Sequence, residues 1–290
     1  MLFPNLLLPG IPSFTTRKIR DRNELSGTEK FRTIQMPNES MKRVHEILIA
    51  YLRTLKGEIS PNDGTWPGSS PRKNIALHRK NRYFYLIDIH DAYPSINGKK
   101  LAEIISALDP EVNKEKLYNL LKETCLTVQD GLITGAPASP DLFNIYTSIL
   151  LDKPLKELCQ KYKLIYTRYR DDLLFSAQSS IGKRKRKAIR KIVQAQGFLI
   201  NSQKSKVYDL KKGPVVINGV GLEFGGRIFI PRHFIRRAKG LFHRATTRGD
   251  IEQEKIEGIM GAFWNVTGKD KILNKTEQKL VKKYQALKAR

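Results

Sequence analysis

The sequence Leu164-Ile-Tyr-Thr-Arg-Tyr-Arg-Asp-Asp-Leu-Leu-Phe-Ser-Ala177 contains two short runs of strand-forming residues with an acidic pair between them. The runs are Leu164–Arg168 and Leu173–Ala177, and the acidic pair is Asp171 and Asp172. Short strands separated by a tight polar turn predict an antiparallel β-hairpin. Aspartate is common in such turns, so the pair by itself does not indicate a catalytic site.

A second apolar run, Tyr83–Ile89 (YFYLIDI), has the length and the aromatic and β-branched composition of a central buried strand. Asp88 lies near its end, although an ionised carboxylate avoids apolar surroundings unless it is paired or bound to a metal. If the hairpin pairs beside this strand, three carboxylates meet at one sheet edge and repel one another. Divalent cations relieve such repulsion, and Mg²⁺ prefers oxygen ligands of this kind. Two such ions can clamp the attacking and leaving oxygens of a phosphoryl transfer.

The charge of the chain indicates a nucleic acid as the partner of this site. Its 290 residues include 53 Lys and Arg against 28 Asp and Glu, a formal net charge of +25. Such an excess repels itself in a folded protein and is most easily explained by a polyanionic partner. The sequence therefore predicts phosphoryl transfer on a nucleic acid.

Composition excludes several other classes of protein. Hydrophobic residues make up 40% of the chain, enough to bury a core, so wholesale disorder is excluded. The apolar stretch Leu2–Ile11 is too short to span a bilayer and lacks the features of a secretory signal. The two cysteines, Cys125 and Cys159, cannot form a disulfide framework or a zinc cluster. We expect a cytoplasmic protein with no membrane partner.

Patterning along the rest of the chain predicts an α+β fold, in which helices pack on one central antiparallel sheet and the C-terminal end is mostly helical. The further predicted strands are Lys30–Pro37, Phe198–Ile200, Val207–Leu210, Val215–Ile217 and Arg227–Ile230. The predicted helices are Met41–Leu55 with Ser40 as its N-cap, Lys99–Leu108, Lys114–Leu126, Pro140–Lys161, Lys183–Ala195, Lys239–Arg244, Ile251–Trp264 and Thr276–Arg290. Residues 56–72 are rich in Gly and Pro and predict a loop.

Five segments resemble, in the same order, the motifs of reverse transcriptases. Tyr85–Ile96 (YLIDIHDAYPSI) resembles motif A, Gly131–Asn144 (GLITGAPASPDLFN) motif B, and Tyr166–Leu173 (YTRYRDDL) the Tyr-x-Asp-Asp motif C. Gly197–Lys204 (GFLINSQK) resembles motif D, and Lys30–Lys42, with its Arg-x-Ile core, resembles the fingers motif. The remainder, Arg227–Arg290, looks like the thumb of small bacterial enzymes of this family.

This resemblance implies a right-hand polymerase fold, with fingers, a palm built on an antiparallel sheet and a helical thumb. We expect the fingers at residues 1–82 and 99–130, the palm at residues 83–98 and 131–222, and the thumb at residues 223–290.

The resemblance also implies a set of catalytic residues. Asp88, Asp171 and Asp172 would hold two Mg²⁺ ions, for which Mn²⁺ could substitute, and the Ile89 carbonyl would be a further oxygen ligand. Lys204 matches the motif D lysine that donates a proton to the leaving pyrophosphate. An ordinary surface lysine is the alternative interpretation of Lys204.

Further motif residues match positions that surround the incoming dNTP. Arg32 matches the fingers arginine that holds the triphosphate with its bidentate fork, and Tyr93 matches the steric gate that excludes a 2′-OH. The alternatives are a solvated surface charge and an ordinary core aromatic. Gly135 and Ser139 would let the backbone approach the incoming base pair closely. Thr134 takes the place beside the nucleotide where glutamine is common.

Several basic residues are expected to contact the nucleic acid. Arg170 fills the variable position of motif C, where its guanidinium either contacts primer phosphate or weakens metal binding. The run Lys183–Lys187 (KRKRK) is either a solvated helix face or a contact to the template–primer backbone. A basic set in the thumb is interleaved with apolar residues, which predicts a helix with an apolar inner face and a cationic outer face. This set, expected to follow the duplex or an RNA stem, is Arg232, Arg236, Arg237, Lys239, His243, Arg244 and Arg248.

Overall size, the lead into motif C and the stretch Ile230–Arg244 look most like a retron reverse transcriptase. Two retron signatures have only approximate counterparts, Asn74-Ile-Ala-Leu-His78 for Asn-Ala-x-x-His and Ile217-Asn-Gly219 for Val-Thr-Gly. A retron enzyme takes a structured non-coding RNA as template and as primer, through a 2′-OH. It makes a branched RNA–DNA hybrid (msDNA) and serves anti-phage defence with a separate effector protein. Another defence-associated bacterial reverse transcriptase with its own non-coding RNA is the nearest alternative.

Two other classes of function stay open. A polymerase-fold RNA-binding scaffold whose catalysis has lapsed would have no reason to keep three repelling carboxylates together. A metal-dependent nuclease would not need Tyr93 or Arg32. The reaction products separate the three hypotheses, since they predict DNA synthesis, no reaction and nucleic-acid cleavage.

Overall fold

The computed structural model describes residues 10–20, 31–55, 59, 68–248, 253–268 and 273–288. The strands of this part of the chain are β1 (Phe14–Arg20), β2 (Phe31–Pro37), β3 (Tyr83–His90), β4 (Ile165–Tyr169), β5 (Asp172–Ala177), β6 (Leu199–Ile200), β7 (Lys206–Asp209), β8 (Val215–Ile217), β9 (Val220–Leu222) and β10 (Ile228–Phe229). The helices are α1 (Glu39–Leu52), α2 (Pro71–Ala76), α3 (Gly98–Leu108), α4 (Lys114–Thr124), α5 (Ser139–Thr147), α6 (Lys153–Tyr162), α7 (Lys183–Ala195), α8 (Arg232–Arg248), α9 (Gln253–Thr267) and α10 (Lys275–Lys288). A π-helical turn, Ser148–Asp152, joins α5 to α6.

The central sheet is antiparallel and is organised around β3. The strand order is β4-β5-β3-β6, and β7 shares with β6 the edge of β3 that lies away from β5. The register of β3 on β5 places Tyr83 opposite Ala177 and Asp88 opposite Asp172. The hairpin β4–β5 therefore lies directly beside the apolar strand, and the α+β fold with a central antiparallel sheet is confirmed.

The two faces of the central sheet pack against different layers. Side chains alternate along β3, so Tyr85 and Ile87 share one face, where they join a core formed with α1 and α3–α7. On the other face, Phe84 and Leu174 join a second core formed with β8–β10 and the C-terminal helices. Asp88 lies on this second face, at the end of β3 where the strand is only partly buried.

The fingers contain a strand pair, β1 and β2, ahead of α1. β1 was not predicted because its sequence, FTTRKIR, has no alternating apolar pattern, yet it pairs with β2 along its whole length. The predicted N-cap of α1 was wrong: Asn38 caps the helix, and Ser40 is buried inside it. Asn38 Oδ1 accepts the Met41 N–H at 2.9 Å and the Ser13 N–H at 3.2 Å, so one amide ties the helix start to the chain before β1.

The C-terminal end is helical, as predicted, and is joined to the palm by the small sheet β10-β9-β8. α8 begins at Arg232, directly after Pro231, which was predicted to open the helical C-terminal end, and it extends beyond the predicted Lys239–Arg244 at both ends. Its Phe242 ring stacks on Tyr284 of α10 with 6.3 Å between ring centroids, which fastens the two helices together. The boundaries between fingers, palm and thumb stay predictions.

Two proline positions explain where the predicted helices were wrong. The predicted helix Pro140–Lys161 is interrupted by the π-helical turn, because Pro154 has no N–H for the regular bonding pattern. Pro71, placed in the predicted loop, instead opens the short helix α2, with Ser70 Oγ accepting the Lys73 N–H at 3.1 Å. The predictions for residues 1–9, 30, 56–58, 60–67, 251–252 and 289–290 lie outside the described residues.

Candidate active site

Three carboxylates meet where β3 and β5 pair. Asp88 on β3 faces Asp172, the first residue of β5, and Asp171 precedes it in the hairpin turn. Burial raises the pKa of Asp172 to about 7, and the charges of Asp171 and Asp88 add to that rise. The Lys204 ammonium opposes it and is the smallest of these effects. Negative charge therefore dominates this end of the sheet, as the sequence predicted.

The turn that presents Asp171 has an unusual backbone. Tyr169 pairs with Asp172, which leaves Arg170 and Asp171 as a two-residue turn. Arg170 has φ = +58°, in the left-handed region that glycine adopts more easily than arginine. Arg168 Nη1 donates a hydrogen bond to the Arg170 carbonyl oxygen at 3.2 Å and so holds the turn from inside the protein. The Arg170 side chain itself is exposed, as a phosphate contact would require.

Arg168 is the centre of a buried network that the sequence analysis missed. Its guanidinium and the Asp152 carboxylate are 0% and 1% exposed and lie 2.9 Å apart at Nη2 and Oδ2. Nε donates to Asp152 Oδ1 at 3.0 Å, and Nη2 also donates to Asn144 Oδ1 at 2.6 Å. The Tyr166 hydroxyl donates to Asp152 Oδ1 at 2.7 Å. The sequence did contain a signal for this network, which is an arginine inside a predicted strand of the central sheet. A guanidinium buried there needs a carboxylate partner.

A second buried network supports the hairpin from α2. Asn74 Nδ2 donates to the Arg168 carbonyl oxygen at 3.2 Å, and Thr167 Oγ1 donates to Asn74 Oδ1 at 3.1 Å. The His78 ring bridges Thr167 Oγ1 at 2.8 Å and Ser176 Oγ at 2.7 Å. Burial lowers the pKa of His78 to about 3, so its ring is neutral. Both polar side chains of the approximate signature Asn74-Ile-Ala-Leu-His78 therefore hydrogen-bond to β4 or β5, the strands that carry motif C.

Motif D lies against the backbone of Asp88. The Asn201 N–H donates to the Asp88 carbonyl oxygen at 2.9 Å, and the Asp88 N–H donates to Ser205 Oγ at 3.4 Å. These bonds bring Lys204 Nζ to 3.8 Å from Asp88 Oδ1. Lys204 therefore lies at the carboxylate cluster, and its side chain is still 59% exposed and able to meet a ligand.

The predicted nucleotide contacts from motifs A and B lie on neighbouring segments. The Tyr93 ring packs on Phe143 with 5.2 Å between centroids. The Thr134 carbonyl oxygen accepts the Gln35 N–H at 2.9 Å, which joins motif B to β2 of the fingers. Gly135 has φ = +108°, and a Cβ there would lie 2.5 Å from the Gln35 carbonyl oxygen. Glycine is therefore needed at position 135 because the backbone there lies directly against β2.

The other three predicted site residues, Ser139, Ile89 and Arg32, lie in different surroundings. Ser139 is buried, and its hydroxyl donates to the Ile133 carbonyl oxygen at 2.7 Å, so its side chain shapes the motif B turn from within. Ile89 is buried beside the carboxylates and pairs with Ile200 of β6. Arg32 has its backbone in β2, and its side chain lies outside the described part of the structure, so its contact stays a prediction.

The basic set of the thumb lies on the outer face of α8. Ile235, Ala238 and Phe242 are buried on the inner face. The exposed cationic side chains of this helix are Arg232, Arg236, Arg237, Lys239, His243 and Arg244. An apolar inner face and a cationic outer face are what the sequence pattern predicted, and the Arg248 side chain lies outside the described residues.

The carboxylate cluster suits a divalent cation by its chemistry. Among the described residues, no set of three or more His, Cys, Asp or Glu side chains converges closely enough to form a ready-made metal cage. Asp88, Asp171 and Asp172 nevertheless supply only carboxylate oxygens, the donors that Mg²⁺ and Mn²⁺ prefer. Their mutual repulsion, expressed in the raised pKa of Asp172, is what a bound cation would relieve.

Residues 19–223 match the family described as reverse transcriptase (RNA-dependent DNA polymerase). The chain belongs to this family. The resemblance expected from the five motifs is thereby confirmed, and the enzymes of the family generally use divalent metal ions.

Curated relatives of the chain are bacterial retron enzymes. The retron Mx65 reverse transcriptase of Myxococcus xanthus is 26% identical over 249 residues, which cover 79% of this chain and 57% of that protein. The retron Ec86 reverse transcriptase of Escherichia coli is 29% identical over 273 residues, which cover 90% of this chain and 80% of that protein. The chain therefore spans little more than half of the first relative and four fifths of the second.

Solved structures of telomerase share the fold. Telomerase from Candida albicans, in complex with a fragment of telomeric RNA, aligns with a TM-score of 0.54 at 10% identity, over 96% of this chain and 57% of that one. Apo telomerase from Candida tropicalis aligns with a TM-score of 0.53 at 12% identity, over 95% and 63%. The right-hand polymerase fold is thus confirmed. Within the described residues, no helix combines the length and the apolar character that a membrane crossing requires.

Proposed function

We propose that the protein is an RNA-directed DNA polymerase that copies a structured RNA into DNA by two-metal nucleotidyl transfer. The observation that carries this proposal is the meeting of Asp88, Asp171 and Asp172 at the paired ends of β3 and β5. Membership of the reverse transcriptase family and the retron relatives support the choice of reaction.

The three aspartates, with the Ile89 carbonyl, would hold two divalent ions, Mg²⁺ or Mn²⁺. Bound there, such ions would supply activation of the primer hydroxyl and neutralisation of charge on the transferred nucleotidyl group. The primer hydroxyl would lose its proton to water, and its oxygen would bond to the α-phosphorus of the dNTP as the bond from that phosphorus to pyrophosphate breaks. Lys204 would give a proton to the departing pyrophosphate, and its position 3.8 Å from Asp88, with a mostly exposed side chain, supports that role.

The dNTP would be held between the palm and the fingers. Tyr93 would lie under the sugar and exclude a 2′-OH, while Thr134 and Gly135 would shape the floor beside the base. The contact of Thr134 and Gly135 with Gln35 supports this placement, since it fixes the motif B turn relative to β2. Arg32, on the same strand, would bind the triphosphate.

The nucleic acid would lie along the thumb and the hairpin turn. The exposed cationic residues of α8, Arg232 to Arg244, would follow the phosphates of the duplex or of an RNA stem, and Arg170 would contact the primer phosphate. The net charge of +25 supports a large polyanionic partner.

The biological setting is a further part of the proposal. The enzyme would be a retron reverse transcriptase that primes on its own non-coding RNA, makes msDNA and acts in anti-phage defence with a separate effector. Another defence-associated reverse transcriptase with its own RNA is the alternative. A cytoplasmic location is supported by the two free, buried cysteines, Cys125 and Cys159.

Primer extension with an RNA template, a DNA primer, dNTPs and Mg²⁺ tests the proposal. We expect synthesis by the wild-type protein and none by the variant Asp171→Ala/Asp172→Ala. The matched control is Glu115→Ala/Glu123→Ala on the exposed face of α4, which removes two charges far from the cluster and should leave synthesis unchanged.

Two outcomes would contradict the proposal. If the wild-type protein makes no DNA and no DNA co-purifies with it from cells, the non-catalytic scaffold is the better hypothesis. Metal-dependent shortening of the primer or template, in place of extension, would favour a nuclease.

A further inference from the structure

Helix α7 lies in the most cationic segment of the chain. Between Asp172 and Asp209 the sequence contains nine Lys and Arg and no Asp or Glu. Three of these, Lys183 to Lys185, occupy the first turn of α7, where the partial positive charge of the helix N-terminus already disfavours cations. Charge of this kind without local compensation destabilises the helix unless an anion binds there.

The basic residues of α7 line one wall of a pocket of about 580 Å³. Its cationic lining is Lys183, Arg186, Lys187, Arg190 and Lys191, with Tyr85 at its base. Ser202 of motif D and Ser205, which directly follows motif D, also line the pocket. No carboxylate lines the pocket in the part of the chain that the structure describes.

Two arginines point into this pocket with donor groups to spare. The Nε of Arg186 is buried, and among the described residues it has no hydrogen-bond acceptor. Burial raises the pKa of the Tyr85 phenol, and the Arg190 and Arg186 guanidiniums oppose that rise, which places both of them near the phenol oxygen. A buried N–H without an acceptor is unfavourable, so an acceptor supplied from outside would stabilise the site.

The pocket is outside the polymerase cleft. Tyr85 and Asp88 project to opposite faces of the central sheet, because they are three residues apart on the same strand. The sheet therefore separates the pocket from the carboxylate cluster. The two sites are linked by Ser205, which lines the pocket and accepts the Asp88 N–H at 3.4 Å.

We propose that this pocket binds backbone phosphates of the structured RNA partner, in a part of that RNA that is not being copied. The inference rests on the proposed function, since it assumes an RNA partner, and it adds a second contact on the back of the palm. Lys183, Lys187 and Lys191 form an i, i+4 ridge about 12 Å long, which suits successive phosphates of one strand. The paired donors of Arg186 and Arg190 suit phosphate oxygens, and the concave shape suits a strand edge better than a flat membrane surface.

Neutralising the exposed ridge tests this inference. The variant Lys183→Gln/Lys187→Gln/Lys191→Gln keeps the half-buried arginines, and the control Lys114→Gln/Lys116→Gln/Lys122→Gln removes the same charge from α4. The probe is the RNA that co-purifies with the wild-type protein, transcribed in vitro, and its affinity is measured across a range of salt concentrations. Extension of a short RNA template with a DNA primer is measured in parallel.

We expect the ridge variant to bind this RNA about ten-fold more weakly than the wild-type protein. The slope of log affinity against log salt concentration should become shallower by about two, because fewer phosphates are neutralised. Extension of the short template should be unchanged. The α4 control should match wild type in both assays. Unchanged RNA affinity in the ridge variant would overturn the inference, as would an equal loss of affinity for the short template–primer. Loss of binding to anionic vesicles with RNA binding intact would assign the ridge to a membrane and also overturn it. If no RNA co-purifies but extension proceeds, this inference fails and the proposed function stands.

Discussion

Two acidic sites lie along the motif C hairpin, and their surroundings differ. Asp152 is 1% exposed, and it is bound by the Arg168 guanidinium and the Tyr166 hydroxyl. At the hairpin tip, burial raises the pKa of Asp172 most, and the neighbouring carboxylates of Asp171 and Asp88 each raise it more than the Lys204 ammonium lowers it.

This difference separates a structural charge from a functional one. A buried carboxylate that meets a guanidinium in bidentate geometry is neutralised inside the protein, and it fixes the strand on which its partner lies. Three carboxylates that crowd one another keep a local excess of negative charge, which a cation from solution can neutralise. The internal ion pair thus positions the turn, and the turn positions the carboxylates that we propose as metal ligands.

Replacing a carboxylate at the tip should produce the largest effect. Asp172→Asn preserves shape and removes one charge, so we expect primer extension to fall by at least about 10³-fold, since a metal ligand is lost. Stability without metal should rise by about 1 kcal/mol, because repulsion with Asp88 and Asp171 is relieved. Extension assays and thermal unfolding in EDTA measure the two effects on one preparation.

Mg²⁺ should also raise the unfolding temperature of the wild-type protein and have a smaller effect on the Asp172→Asn variant. A loss of activity together with a loss of stability in EDTA would mean that Asp172 is a structural residue, like Asp152.

Removing the internal cation should have the next largest effect. Arg168→Met leaves the Asp152 charge buried and releases the Arg170 carbonyl oxygen, so we expect a loss of about 3–5 kcal/mol in the free energy of unfolding. Urea unfolding monitored by circular dichroism measures it. The double variant Arg168→Met/Asp152→Leu should recover part of this stability and none of the activity, because the turn remains unsupported. Full activity in the double variant would show that the network does not position the turn.

Much of the site could be predicted from the sequence because its residues follow local patterns. The apolar run ending in Asp88 predicted a central strand, and the acidic pair between two apolar runs predicted a hairpin beside it. Those patterns could not predict the register that places Asp88 opposite Asp172, because it depends on pairing between segments about 80 residues apart.

The residues that were missed act over long separations in the sequence. Arg168 binds Asp152, which is the last residue of the π-helical turn. Pro154 is visible in the sequence, but the geometry of the turn before it could not be predicted. Asn74 and His78 lie after the predicted loop, in a segment noted only for its approximate retron signature, and their partners are about 90 residues away. Periodicity cannot identify a buried polar contact of this kind, because it distinguishes only apolar from polar faces.

The buried hydrogen-bond network around His78 should make the free energy of unfolding depend on pH. We expect this effect to be smaller than that of Arg168→Met. His78 has a pKa lowered to about 3 by burial, so the unfolded chain binds a proton more readily than the folded one. Stability from this group is full above the ordinary histidine pKa of about 6.5 and falls as the pH drops below it. Between pH 7 and 5 we expect a loss of about 2 kcal/mol from His78 alone. Urea titrations should show this part of the slope disappear in His78→Gln; an unchanged slope would mean that the ring is not kept neutral in the folded state.

The smallest effect on stability should come from Lys204, whose ammonium lies beside the Asp88 carboxylate. Its ammonium is 3.8 Å from Asp88 and its side chain is 59% exposed, so the pair is screened by water. Lys204→Met should change the free energy of unfolding by less than about 0.5 kcal/mol, a small fraction of the loss expected for Arg168→Met. Extension should still slow, with the greatest loss at high pH, because the leaving pyrophosphate then depends most on a proton donor held in place. Lys206→Met, on the neighbouring strand, is the matched control, and equal rates in both variants would remove Lys204 from the catalytic set.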